Sequence, residues 1–164
     1  MGFVCSVCGE HHDERLLDIR LGLPDSIHAL DPDDRDGRTW LGDDFAVLDE
    51  ERFFVRGLLE LPIPELANRF GYGAWVEVPM QTFRTLMARW HEPEQFEPAT
   101  GYLANTLEPY EGTIGLEATL RAISADRLPA IDLADAAHPL VRDQRHGITA
   151  ERSDELAAVV LHAA

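Results

Sequence analysis

The chain is made of short apolar runs separated by turns, and this pattern limits the folds that it can adopt. Six of these runs have the length and apolar pattern of β-strands, and they lie at residues 45–48, 52–61, 72–78, 102–107, 114–120 and 130–133. The first two are joined by a turn of three residues, which favours a β-hairpin. Gly57 lies inside the second run, where a glycine indicates a bulge or the close approach of another part of the chain.

Two helices are predicted from apolar residues at helical spacing. The first has a stripe made of Phe83, Leu86, Met87 and Trp90. We expect Thr82 to cap this helix and Thr149 to cap a second helix over residues 150–162. The acidic stretch 31–37 and the segment that contains His138 are expected to be loops.

The order of these elements predicts the fold class. Strands and helices do not alternate regularly, so short consecutive strands favour a largely antiparallel sheet with helices packed on it. No linker or internal repeat divides the 164 residues. The sequence therefore predicts a single α+β domain over residues 1–164. It has an N-terminal metal knuckle at 3–12, a sheet and helix core at 45–134 and a C-terminal helix at 150–162.

The N-terminal knuckle has the clearest site chemistry in the sequence. Cys5 and Cys8 are three positions apart, and Gly9 lets the backbone turn so that both thiolates face one cation. His12 lies four residues after Cys8 and can reach the same point. Because zinc is commonly bound by cysteine and histidine together, we predict a zinc site formed by Cys5, Cys8 and His12. A metal-free reduced pair and a redox pair are the alternatives for the two cysteines.

A structural zinc site has four ligands, so one more is needed. The candidates for the fourth position are His138, His11 and a water molecule. A protein side chain there indicates a structural metal, whereas a water indicates a catalytic one. In the catalytic case, Glu14 or His138 is the nearest candidate for a general base.

Charge and composition restrict the classes of partner. The chain has 30 acidic and 14 basic residues, and its net charge of −16 argues against binding to nucleic acids or to an anionic membrane. The same charge favours solubility or complementarity to a basic partner protein. No apolar run approaches the ~20 residues of a membrane span, and no signal peptide is recognisable, so we expect a cytoplasmic protein.

Other polar and aromatic residues give weaker signals. Asp43, Asp44 and Glu77 are candidates to line a cleft, although isolated carboxylates in so acidic a chain lie most often on the surface. The aromatic residues Phe53, Phe54, Trp75 and Trp90 are interpreted as core.

Several stretches together resemble the bacterial family DUF2199, whose function is not assigned. They are Cys5-x-x-Cys8-Gly9-x-x-His12, residues 53–57 with 61–63, 73–76, 103–110, and 138–140 with 147–149. The set covers nearly the whole chain in the family's order. The resemblance implies a small cytoplasmic bacterial domain, in which His12, rather than His11, and His138 are the histidines that match the family pattern.

Three functions are compatible with these features. The first is a non-enzymatic zinc-binding domain that acts through protein contacts. The second is a zinc-dependent hydrolase or lyase, in which Cys5, Cys8 and His12 hold a catalytic metal. The third is an immunity-type or regulatory protein whose acidic surface covers a basic partner.

Overall fold

The computed structural model describes residues 16–92 and 96–161, with side chains up to residue 159, and the backbone of residues 3–4 and 11–12. The strands in this part of the chain are β1 (Phe3–Val4), β2 (His11–His12), β3 (Asp18–Arg20), β4 (Thr39–Leu41), β5 (Phe45–Leu48), β6 (Arg52–Ile63), β7 (Asn68–Val78), β8 (Ala99–Leu103), β9 (Glu117–Arg121) and β10 (Ala130–Leu133). The α-helices are α1 (Asp25–His28), α2 (Pro32–Arg38), α3 (Met80–Ala88), α4 (Pro139–His146) and α5 (Ala150–Leu161).

A long hairpin of β6 and β7 is the centre of the fold. The two strands pair from Phe53 opposite Val78 to Ile63 opposite Asn68. The hairpin closes through a 3-10 turn at Pro64–Leu66, after which Ala67 adopts a left-handed conformation with φ of 48°. Because both strands are much longer than their other neighbours, each has room for two partners along its outer edge.

Five of the strands close into a barrel. The strand order runs β7, β8, β9, β10 and β6, and β6 pairs again with β7. All pairs in this ring are antiparallel except β10 with β6, which are parallel at Ala130 opposite Leu58. The remaining members of the sheet lie outside the ring: β3 pairs with β7 in parallel, and β5 and β4 extend the sheet from β6.

The predicted α+β class and largely antiparallel sheet are confirmed by this arrangement, and so is the hairpin of β5 and β6. The closed barrel was not predicted. The core extends beyond the predicted range of 45–134, because Ile19 from β3, Leu140 from α4 and Leu156 from α5 are buried in the same cluster as the barrel interior. A second, smaller cluster lies on the opposite face of the sheet around Phe54 and Trp75.

Gly57 lies in close contact with β9 and β10, which agrees with the close approach that was one of the two alternatives for this glycine. A Cβ atom on Gly57 would lie 2.7 Å from Cγ1 of Ile131 and 2.8 Å from Cδ2 of Leu120. Real Cβ atoms do not approach other carbons so closely. The missing side chain therefore lets the barrel close.

The first predicted helix was placed slightly too late in the sequence. It is α3, which begins at Met80 directly after Pro79 and ends at Ala88. Thr82 therefore lies inside the helix rather than at its cap, and Trp90 lies beyond its end. Phe83 packs against Phe45, with ring centroids 5.4 Å apart, and Leu86 is buried beside it, so this part of the predicted stripe faces the core. Met87, which was assigned to the same stripe, is 40% exposed.

The strands predicted at 102–107 and 114–120 are shorter and shifted, because side chains compete with the sheet for the intervening backbone. The hydroxyl of Thr113 accepts a hydrogen bond from the N–H of Leu107 at 3.0 Å and donates one to the carbonyl of Asn105 at 2.8 Å. These bonds hold a buried turn between β8 and β9. Ile114, the first residue of the strand predicted at 114–120, lies before β9 and is 56% exposed.

The loop predicted at 31–37 is wrong, because α2 lies there, and the loop predicted at 138–140 ends at His138, the residue before α4. Both helices have proline near their start, at Pro32 and Pro139. Proline is favoured in the first turn of a helix, where its missing N–H has no partner to lose. The C-terminal helix is confirmed as α5, and the N–H of Arg152 donates to the Thr149 hydroxyl at 3.0 Å, as expected for a cap. None of the helices described is long and apolar enough to cross a membrane.

We predict that Gly57→Ala destabilises the domain by about 1–3 kcal/mol, because the added methyl group overpacks the contact with Ile131 and Leu120. Denaturant-induced unfolding measures the change. Gly22→Ala is the matched control, since no atom lies within 4 Å of the position of its Cβ. Equal stability of the two variants would contradict the close approach.

Candidate functional site

The predicted zinc ligands lie largely outside the described residues. Cys5, Cys8 and Glu14 are not described, and of His11 and His12 only the backbone is. That backbone forms an antiparallel pair with the start of the chain, in which Phe3 lies opposite His12 and Val4 opposite His11. Within the part of the chain that is described, no three His, Cys, Asp or Glu side chains are grouped so that they could hold a metal ion. The zinc site stays a prediction.

His138 has hydrogen-bonding partners on both ring nitrogens. Its Nδ1 accepts a hydrogen bond from the N–H of Leu140 at 3.1 Å, which caps α4. Its Nε2 lies 2.7 Å from the carbonyl oxygen of Glu111, so this nitrogen carries the proton and donates. Zinc binding by His138 would require one of these two bonds to break.

An open groove of about 700 Å³, which we call the central groove, lies among the described residues. Its charged or titratable lining side chains are Asp18, Arg20, Asp43, Asp44, Arg56, His91, Asp126 and Arg127. It lies where β3 and β5 diverge from the barrel. The groove therefore presents hydrogen-bonding groups of both charges to a polar ligand.

Arg56 is the buried charge at the base of the central groove, with only 2% of its surface exposed. Its Nε and Nη2 donate to Oδ1 of Asp44 at 3.1 and 2.8 Å, and Nη2 also donates to the carbonyl of Asp43. The guanidinium carbon lies 5.2 Å from the ring centroid of Trp75, which adds a cation–π contact. These contacts compensate the burial of the charge and fix its position.

Trp75 connects the groove to the segment before α1. Its indole N–H donates to the carbonyl of Leu21 at 2.9 Å, and its backbone N–H donates to Oδ1 of Asn105 at 2.8 Å. The amide nitrogen of Asn105 donates in turn to the carbonyl of Leu23 and to Oδ1 of Asp25, both at 2.9 Å. This buried network anchors the segment against the outer face of β7.

A second polar cluster lies between the barrel and the two C-terminal helices. The hydroxyl of Tyr110 donates to Oδ2 of Asp143, and the guanidinium carbon of Arg152 lies 5.3 Å from the Tyr110 ring. The Tyr72 hydroxyl is buried and has no hydrogen-bond partner in the part of the chain described. Burial raises the pKa of both tyrosines, and for Tyr110 the Asp143 carboxylate raises it further. Both phenols are therefore neutral at physiological pH.

The predicted cleft carboxylates divide between two places. Asp43 and Asp44 line the central groove, whereas Glu77 accepts hydrogen bonds from Arg52 at 3.0 and 2.7 Å on the surface. Sequence reasoning did not single out Arg56. Its signal was a single charged residue within the otherwise apolar run 53–59, where a charge needs a partner.

Comparison with known proteins now identifies the family. The family model of DUF2199, described as an uncharacterized protein conserved in bacteria, matches residues 4–148. The chain belongs to the DUF2199 family. The matched range contains both cysteines, the central groove and His138, and it ends just before α5. No curated protein and no solved structure matches the chain.

We predict that Asp44→Ala destabilises this DUF2199 domain by about 2–3 kcal/mol, because it leaves the buried Arg56 without its carboxylate. The loss is smaller than the 3–5 kcal/mol typical of fully buried pairs, since the Asp44 side chain is 26% exposed. Asp132→Ala is the control, because it breaks the surface pair with Arg121 and should change stability far less. Denaturant unfolding compares them, and equal losses would contradict a structural role for the Arg56 pair.

Proposed function

We propose that this domain binds zinc through Cys5, Cys8 and His12 and acts through contacts with another protein rather than as a catalyst. The observation that supports the metal site is the pairing of β1 with β2. Both cysteines lie in the sequence between these two strands, and the second strand ends on His12. A cysteine pair between two strands is a common setting for structural zinc.

The shortness of this hairpin also supports a bound metal. Its strands are two residues long each, and short isolated hairpins are marginally stable at best in water. Ligation by two thiolates and an imidazole would supply folding free energy that such a hairpin does not obtain from its own hydrogen bonds. The fourth ligand remains His11, His138 or a water molecule.

The proposed role in protein contacts is supported by the strong excess of acids, which makes complementarity to a basic partner favourable. A domain whose metal is structural does not need an open coordination position. Its function then lies on its surface.

We predict one zinc ion per chain in protein purified without added metal, and its loss in Cys8→Ser, because serine does not supply a thiolate. Elemental analysis measures the stoichiometry. His91→Ala is the control. His91 lines the central groove, so the variant protein should keep its zinc. Metal-free wild-type protein with full stability would contradict the proposal.

We predict that His138→Asn distinguishes the candidates for the fourth ligand. Asparagine keeps a cap acceptor for the N–H of Leu140 but removes the ring nitrogen that a metal would use. Zinc affinity that is unchanged in this variant assigns His138 to the structure of α4. A loss of about tenfold or more in affinity assigns it to the metal shell. Competition with a chromogenic chelator provides the measurement.

A further inference from the structure

The sheet ends at β4, and the surface around this strand has a charge unlike the rest of the fold. We call residues 31–51, which comprise α2, β4, β5 and the turn after β5, the acidic edge. It contains nine acidic and two basic residues. The two basic residues, Arg35 and Arg38, offset only part of this charge, and nine acids minus two bases leave a net formal charge of −7.

Each arginine of the acidic edge binds groups within or next to it. Arg38 donates from Nε and Nη2 to the Asp49 carboxylate at 2.8 and 2.7 Å, and these bonds hold the pKa of Asp49 below its usual value. Arg35 donates to the backbone carbonyls of His28 and Leu30 at 3.1 and 3.2 Å. The other carboxylates of the acidic edge keep the field negative.

Two large apolar side chains are exposed within the acidic edge, on opposite faces of β4. Trp40 is 51% exposed and Leu41 is 43% exposed, and both belong to β4. The Trp40 ring lies against Gly42, where a Cβ atom would be 3.1 Å from it. A shallow cavity of about 330 Å³ opens beside the ring, lined also by Val47 and Glu50. Exposed tryptophan is the residue most typical of binding hot spots.

The outer edge of β4 also has backbone groups that can pair with another strand. The N–H of Gly42 donates to the carbonyl of Phe45, and the N–H of Asp49 donates to the carbonyl of Arg38. In an antiparallel ladder, the N–H and C=O groups of successive residues point alternately toward and away from the neighbouring strand. The backbone groups of Trp40 therefore point toward β5, and those of Leu41 point outward. Among the described strands, β4 is the last in the sheet order. The N–H and C=O of Leu41 are therefore available to a further strand.

The turn at the end of β5 has two acidic residues with positive φ, of which Glu50 is in an unfavourable conformation, whereas aspartate is common at the first position of such turns. Asp49 and Glu50 have φ of 54° and 57°, in the left-handed region that glycine or asparagine usually occupies in such hairpins. Glutamate at this position costs stability. Strain of this kind persists most often at functional sites, and here it presents a carboxylate beside Trp40.

We propose that an extended, basic segment of a partner protein adds to β4 as a further strand, with an apolar side chain against Trp40 and its Lys or Arg side chains facing the carboxylates of the acidic edge. This rests on the proposed function only in that the domain acts by binding a protein, and it does not require zinc. Strand addition supplies backbone hydrogen bonds for affinity, and the side-chain pattern supplies specificity.

Charge favours this occupant over the alternatives. A second copy of the chain docked edge to edge would bring two surfaces of net negative charge together, and they would repel each other. Nucleic acids and anionic membranes are repelled by the same field. A basic strand is attracted by it and also matches the open hydrogen-bonding edge.

The test uses the full chain and a labelled peptide of about nine residues that alternates lysine with valine or threonine. Fluorescence anisotropy should show binding that weakens on going from about 0.05 M to about 0.5 M salt. Replacing every lysine by glutamate, or methylating alternate peptide nitrogens, should abolish it. Trp40→Ser should weaken binding about tenfold or more. Ile114→Ser, at an equally exposed apolar site elsewhere, should leave it unchanged.

Three outcomes would overturn the proposal. They are no binding of the basic peptide up to about 1 mM, equal weakening by Trp40→Ser and Ile114→Ser, and a wild-type dimer that Trp40→Ser dissociates in sedimentation. Measuring peptide binding after zinc has been removed with a chelator distinguishes this proposal from the proposed zinc site. Binding that survives in metal-free protein supports the β4 site even where the zinc site fails.

Glu50→Gly should raise the melting temperature by about 2 °C, because glycine adopts the left-handed conformation without strain. The same substitution should weaken binding of the basic peptide, since it removes a carboxylate beside Trp40. Glu51→Gly is the matched control, because it removes the same charge from a residue with no positive φ. A melting temperature that rises equally in both variants would count against strain at Glu50.

Discussion

The pairing of β6 with β7 is the constraint on which the rest of the structure depends. Each of these long strands changes partner along its outer edge: β6 pairs with β5 near its start and with β10 further on, and β7 pairs with β3 and then with β8. Two of these partners, β8 and β10, close the barrel, whereas β3 and β5 lie outside it. The central groove lies where these two groups of strands diverge, which explains why charged residues meet there beside a closed apolar core.

The change of partner also explains the unusual position of Arg56. The residue lies between the part of β6 that pairs with β5 and the part that pairs with β10, and its N–H donates to the carbonyl of Asp44 at 2.9 Å. Its neighbour Gly57 has no side chain, so the barrel closes directly beside a buried charge. The two residues therefore have complementary roles. Gly57 lets the strands of the barrel meet, and Arg56 holds the part of the sheet that extends away from the barrel.

Elements with a local sequence pattern were predicted correctly. Predictions failed where the structure depends on contacts between residues that are distant in the sequence. Short apolar runs bounded by turns were sufficient for the β5–β6 hairpin and β10, and Gly57 indicated a close approach correctly. The closed barrel depends on the pairing of β10 with β6, which no local pattern reveals. The turn at Asn105 and Thr113 ends β8 early through side-chain bonds that propensity does not contain. Asp44 is a site residue only because it meets Arg56, twelve positions later.

The acidic residues around β4 have a simpler interpretation, which is that they protect an edge strand against aggregation. Two observations argue against protection alone. β4 is short, which itself limits aggregation, but it carries the exposed Trp40 and Leu41 rather than the charged residues or proline that also protect edge strands. Protection also does not require strain, because glycine at position 50 would relieve it and leave a strongly acidic surface. An exposed tryptophan and a strained glutamate side by side are better explained by a ligand that contacts both.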